Sequence, residues 1–180
     1  MKNILNLSLS LFFNQILGVV SGMMCLIFAF FLSGSGIWAF VLYLAFTLSF
    51  FIYIQYKSAF KCGFHDSDRR NKKESKAYLF KGCIAGVISS IPVIALIVVY
   101  FVALLMSNNA LAQFSRLIFS FVTMYFSWPL SGIFPNHANE IIVASILPLT
   151  LVPSLGYVAG YKNFDIFDKI CILLRIKPKV

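Results

Sequence analysis

The sequence predicts an all-α integral membrane protein: four transmembrane helices, an outer interfacial or re-entrant helix, and a C-terminal amphipathic helix. Three observations carry that prediction. First, 60% of the 180 residues are apolar and 12% are charged, with 20 Phe and a mean hydropathy of +0.88. A water-soluble domain holds about 25% charged residues, because it must present a polar skin. Second, no Asp, Glu, Lys or Arg occurs in 3–56, 82–115 or 141–161. A charge at mid-bilayer costs at least about 2.5–3.5 kcal/mol, so these clean stretches mark the membrane. Third, the net charge of +9 is clustered: eight of the fifteen basic residues lie from Lys57 to Lys81 and five from Lys162 to Lys179. This composition excludes a soluble enzyme, a disordered tail and a disulfide-stapled secreted module. By length, residues 1–180 form a single membrane domain.

A helix rises about 1.5 Å per residue, so a ~30 Å core takes about 20 apolar residues to cross. The first span is 11–32. Asn14 and Gln15 interrupt its apolar run and no small-x-small site follows, so it reads as a retained helix, not a cleaved leader. Ser33-Gly34-Ser35-Gly36 makes a tight turn into the second span, 37–56, giving a helical hairpin. The basic stretch 57–81 then reads as a cytoplasmic loop. The third span is 82–106 and the fourth 141–161. Between them, the run Leu117–Trp128 is only 12 residues and is followed by Pro129 and Gly132, too short to cross. We therefore expect 111–128 to be interfacial or re-entrant on the outer side. A fifth crossing through 134 would also put the basic tail opposite the basic loop, against the positive-inside rule.

Aromatic placement agrees with four spans. Trp38, Tyr100 and Trp128 fall at the outer headgroup level, and Tyr53, Tyr56, Tyr78, Tyr157 and Tyr161 at the inner one. In the tail 162–180, Phe164, Phe167, Ile170, Cys171 and Leu174 share one helical face. Lys169, Arg175, Lys177 and Lys179 can snorkel to water, as in an amphipathic helix on the inner leaflet.

Three Gly-x-x-x-Gly pairs stand out: Gly18/Gly22, Gly82/Gly86 and Gly156/Gly160. Glycines four apart share a helix face and let two backbones approach closely. The second and third pairs fall at one depth, which predicts a direct contact between spans three and four. Gly18/Gly22, beside Ser21, is the candidate docking face for a partner. Ser89, Ser90 and Pro92 in the third span, with Pro153 and Ser154 in the fourth, form a candidate solute site. Proline removes a backbone hydrogen bond and kinks a helix, and broken helices at mid-membrane build substrate sites in carriers. Arg116 and Glu140 are a candidate ion pair at the outer mouth, near His137. The spans carry no Asp, Glu or His, so a proton-coupled mechanism is disfavoured.

Cys62-x-x-His65, with Asp66 behind it, has zinc-like spacing but no second half nearby, so no metal site is expected. Cys62 and Cys83 read as reduced juxtamembrane thiols. A catalytic Cys–His pair lacks a marked third group, and no catalytic residue or cofactor is expected. The basic loop with Phe60, Phe64 and Tyr78 points to anionic lipid headgroups, since it joins two spans; nucleic acid is not an expected partner.

Gly63, Asp66 and Asp68, Lys81-Gly82 with Gly86, the Ile91-Pro92 step and Gly156-Tyr157 with Gly160 resemble uncharacterised small multi-span membrane proteins of Gram-positive bacteria. That resemblance covers mainly 56–93 and 150–170 and implies location, not activity. In size and basic hydrophobic character the chain is also loosely similar to the substrate-binding subunits of energy-coupling-factor vitamin transporters. Those have six spans, and only Gly18/Gly22 matches their small-x-x-x-small first helix. The expectation is thus a protein of the bacterial plasma membrane with both termini cytoplasmic. It would act as a non-enzymatic accessory or interaction subunit, with a membrane-protein partner or a second copy of itself. The alternative is a solute transporter component, and a hydrolase using Cys62 or Cys83 is the third reading.

Overall fold

The computed structural model describes residues 2–31, 37–71, 80–127, 130, 133–167 and 169. All regular structure among them is helical. The helices are α1 (Lys2–Phe31), α2 (Ile37–Asn71), α3 (Lys81–Ser89), α4 (Ile91–Leu105), α5 (Asn109–Val122), α6 (Ala138–Ala144) and α7 (Ile146–Tyr161), with a 3-10 turn at Pro135–His137. Three stretches are long and apolar enough to cross a membrane: Ile4–Leu26, Trp38–Asp68 and Asn139–Tyr161. The bent pair α3 and α4 makes a fourth if it is one span.

Two helices extend beyond the stretches that hydropathy marks as spans. Helix α1 starts at Lys2, nine residues before the predicted span, and on its early turns the Ser8 hydroxyl donates to the Ile4 carbonyl. Leu7 and Leu11 on that early turn are buried. The second continues past Tyr56 through the first half of the predicted loop, so 57–71 is helix. At 35 residues α2 is about 52 Å long, well over the ~30 Å core. Polarity changes at Lys57, but the interface does not: Ala59, Gly63 and Asp66 lie at helical spacing and are all buried.

The third span breaks at Ser90, where α3 and α4 meet at 53°. Pro92 supplies the cause, having no N–H and clashing with the turn before it. The fourth span holds: Ser145, between α6 and α7, keeps near-helical angles (φ −63°, ψ −20°), and α7 stays helical through Pro153.

At the end of α4, Ser107 adopts φ 55° and Asn108 caps α5 by accepting from the Leu111 N–H at 3.1 Å, so the chain reverses. Helix α5 then packs antiparallel on α4 and ends deep in the bundle. There the Tyr125 ring stacks on Phe51 at 4.0 Å, and the Thr47 hydroxyl donates to the Tyr125 carbonyl at 3.0 Å. By Asn139 the chain is back beside α4, whose Tyr100 hydroxyl donates to Asn139 Oδ1 at 2.7 Å. The described residues between 109 and 139 thus enter and leave by one end of the bundle, a re-entrant path. Trp128, Pro129 and Gly132 lie outside the described residues.

Helix α1 runs antiparallel to α2, while α7 runs parallel to α2 and antiparallel to α3, as the contacts below show. The N-termini of α1 and α3 and the C-termini of α2 and α7 therefore gather at one end, here called the basic end. After Tyr161 the helix stops in a Schellman motif. Asn163 takes φ 54°, its N–H donates to the Gly160 carbonyl and the Phe164 N–H to Ala159. Residues 164–167 then lie along α2. Asp165 pairs with Lys57, the Ile166 N–H donates to the Tyr56 hydroxyl at 3.1 Å, and Phe167 meets Tyr53 and Tyr56 edge-on. The predicted tail helix beyond Lys169 lies outside the described residues, as does the Ser33–Gly36 turn.

Candidate functional site

The three glycine pairs sit where helices meet, but not with the partners expected of them. A methyl group at Gly82 would lie 2.5 Å from the Pro153 carbonyl oxygen, and one at Gly86 2.9 Å from that of Leu149. A methyl at Gly156 would lie 2.6 Å from the Tyr56 carbonyl oxygen, and one at Gly160 would collide with the Phe60 carbonyl. Spans three and four do touch, yet Gly156/Gly160 turns to α2, where Gly63 sits against the Tyr157 backbone. The geometric reason is that Gly82 and Gly86 run antiparallel to α7 and meet it one to two turns before Gly156. Gly18 and Gly22 are not a free docking face: they are covered by Phe51 and Tyr125, and by Tyr43 and Met124. The Tyr43 hydroxyl donates to the Gly22 carbonyl at 2.9 Å.

The polar groups within the spans are mostly engaged. Ser89 and Ser90 both donate to the Gly86 carbonyl (2.9 and 2.7 Å), and Ser154 donates to Thr150 at 2.8 Å. Ser89, Ser90 and Pro153 are buried, Ser154 is half-buried and Pro92 is exposed. Sequence reasoning missed the amides. Asn14 donates from Nδ2 to the Ser58 hydroxyl (2.8 Å) and the Ile54 carbonyl (3.2 Å) of α2. Gln15 donates from Nε2 to the Ser89 carbonyl at 3.3 Å, covering the backbone at the α3–α4 break. Gln55 donates to the Leu11 carbonyl at 3.1 Å, and its Oε1 is buried without a partner. Their presence in otherwise apolar spans was the available signal.

The second missed feature is a buried charged cluster at the basic end. Lys81 Nζ lies 2.5 Å from Asp66 Oδ2, and the Tyr157 hydroxyl donates to the same oxygen at 2.9 Å. Asp66 is 4% exposed and Lys81 8%. Ala59, Gly63 and Asp66 follow i, i+4, i+7 spacing, which carries the carboxylate onto the α7-facing stripe of α2. The close approach at Gly82 brings Lys81 to it. Tyr157, on α7, completes a three-helix junction with the Lys81 ammonium 5.9 Å from its ring centre.

Asp66 therefore turns into the bundle, away from exposed His65. No three His, Cys, Asp or Glu side chains converge among the described residues, and Cys171 lies outside them. Arg116 and Glu140 are both exposed and no ion pair joins them; Glu140 faces His137 at 3.9 Å, one turn away on its own segment. The i, i+3 neighbour is nearer than a side chain on another helix. No family model, no curated protein and no solved structure matches the chain.

Proposed function

We propose that the chain is a small polytopic protein of the bacterial plasma membrane that acts as a non-enzymatic accessory or interaction subunit. One observation supports this above others. The hydroxyls of Ser89, Ser90 and Ser154 bond within their own helices, and Asn14 and Gln15 bond to neighbouring ones. Such groups serve packing, whereas a carrier must offer them to a solute stripped of water. The glycine pairs act in the same packing role, holding α2, α3 and α7 at backbone contact. The basic end faces the cytoplasm by the positive-inside rule, so both termini are cytoplasmic and its lysines and arginines meet anionic headgroups. The partner is another membrane protein or a second copy of this chain; no cofactor or nucleic acid is required.

A transporter component is the second reading, favoured by the α3–α4 break and by the unpartnered buried Oε1 of Gln55. Purification in mild detergent separates the two. A stoichiometric protein partner or a stable homo-oligomer is the expected result. A monomer that carries a small molecule, lost on Gln55→Leu with the fold intact, would overturn the subunit reading.

A further inference from the structure

Beside the basic end, the folded-back segment after α7 leaves an open groove of about 540 Å³ against α2. Phe60 and Phe64 of α2 form one wall, and Asn163, Phe164, Asp165 and Lys169 the other. Its character is split in the manner of an amphiphile. Three phenyl rings supply apolar surface, and an ammonium, an amide and a carboxylate line the groove with them. Tyr53, Tyr56 and Tyr161 nearby put it at headgroup level, where such rings collect.

Charge decides between occupants. The Asp165 carboxylate is engaged twice within the protein, by Lys57 and by the Phe167 N–H at 3.0 Å. Its charge is therefore compensated and is not an open acceptor for a cationic headgroup. Lys169 stands 3.9 Å over the Phe164 ring, so its ammonium is held beside the apolar surface of the groove. Exposed Lys61, beside Phe60 and Phe64, and Lys162, beside Asn163, add to the positive field.

We propose that this groove binds one anionic phospholipid, its glycerol and upper acyl chains on Phe60, Phe64 and Phe164 and its phosphate against Lys169 and Asn163. The assignment rests on the membrane placement of the basic end and not on the subunit reading, which it would survive.

The test is native mass spectrometry of the full chain in a neutral detergent. Acyl-matched phosphatidylglycerol, phosphatidylethanolamine and phosphatidylcholine are added in equal amounts. The expected result is a 1:1 adduct dominated by phosphatidylglycerol. Lys169→Gln should lower its occupancy about fivefold, the effect of one basic residue near a lipid surface. Lys169→Arg should retain it, and Arg116→Gln, at the opposite end, should leave it unchanged. Lys169 is exposed, so the variant should fold, and an unchanged melting temperature verifies that. Equal retention of the three lipids, or an equal loss in Arg116→Gln, would overturn the site. So would a preference for phosphatidylethanolamine, which would mean that Asp165 takes an ammonium.

Discussion

Replacing Gly156 by Ala tests the backbone contact between α2 and α7. The added methyl would stand 2.6 Å from the Tyr56 carbonyl oxygen and 3.1 Å from the Ala59 Cβ. Carbon and carbonyl oxygen normally meet at about 3.3 Å, so the helices must part by about 0.7 Å. Neither opposing atom is the end of a flexible side chain, so the strain cannot be relieved by a rotamer change. Overpacking typically costs about 1–3 kcal/mol, and this site belongs at the upper end. Alanine recovers about 1 kcal/mol of helix propensity, leaving a net loss of about 2 kcal/mol. Gly22→Ala is the matched control. Its methyl would meet the Tyr43 hydroxyl at 3.1 Å and Met124 Cγ at 3.2 Å, both side-chain atoms that can yield. The propensity gain then roughly cancels the contact. At about 2–4 °C per kcal/mol, Gly156→Ala should melt about 4–8 °C below Gly22→Ala. Thermal melting in mild detergent, followed by the fraction remaining monodisperse on size exclusion, reads this directly. Equal melting of the two variants, or a lower value for Gly22→Ala, would refute the argument.

Further outcomes follow from the charges and hydroxyls. Asp66→Asn should cost about 3–5 kcal/mol, because it leaves the Lys81 ammonium buried without its counter-charge, and adding Lys81→Met should restore most of the loss. If the double variant is no more stable than Asp66→Asn in the same melting assay, the pair is not what holds α3 to α2. Ser90→Ala with Ser154→Ala should cost little, since interhelical hydrogen bonds in membranes average about 0.6 kcal/mol and these two lie within single helices. Loss of a co-purifying solute in that variant would instead favour the transporter reading. In a background lacking native cysteines, an impermeant thiol reagent applied to intact cells should label Asn108→Cys but miss Ser75→Cys and Lys179→Cys. External labelling of either of the last two would invert the orientation.

Hydropathy made the spans legible because the bilayer's demand is coarse and one-dimensional. It marked the re-entrant stretch for the same reason: the twelve residues Leu117–Trp128 before Pro129 cannot cross. It did not show that α1 and α2 run on beyond the apolar stretches, because a helix stops where its backbone loses partners, not where polarity changes. Lys57 pairs with Asp165 and Lys61 can snorkel while Ala59 and Gly63 stay packed, so the helix runs on under a charged surface. The glycine pairs were visible, but their partners were not. Spacing tells which face of a helix is small, whereas which neighbour covers it depends on the relative depth of two helices. The Asp66–Lys81–Tyr157 junction was hidden for a related reason. A charge-rich segment reads as a solvated loop until α7 is known to pass over one stripe of it.

Asn14 and Gln15 show how few polar atoms are needed to set such an arrangement. Successive residues on a helix point about 100° apart, so two adjacent amides cannot serve the same neighbour. Asn14 bonds to α2 and Gln15 to α3, which fixes the rotation of α1 between them. Apolar side chains alone would not do this, because lipid tails solvate Leu and Phe as well as another helix does. The Gln15 bond also falls on Ser89, next to the residue where the third span breaks. A carbonyl beside a proline-induced break would otherwise face hydrocarbon, at a cost of several kcal/mol. The amide on α1 removes that cost only when α1 is docked. The docking of the first span therefore satisfies a carbonyl at the bend that Pro92 puts in the third.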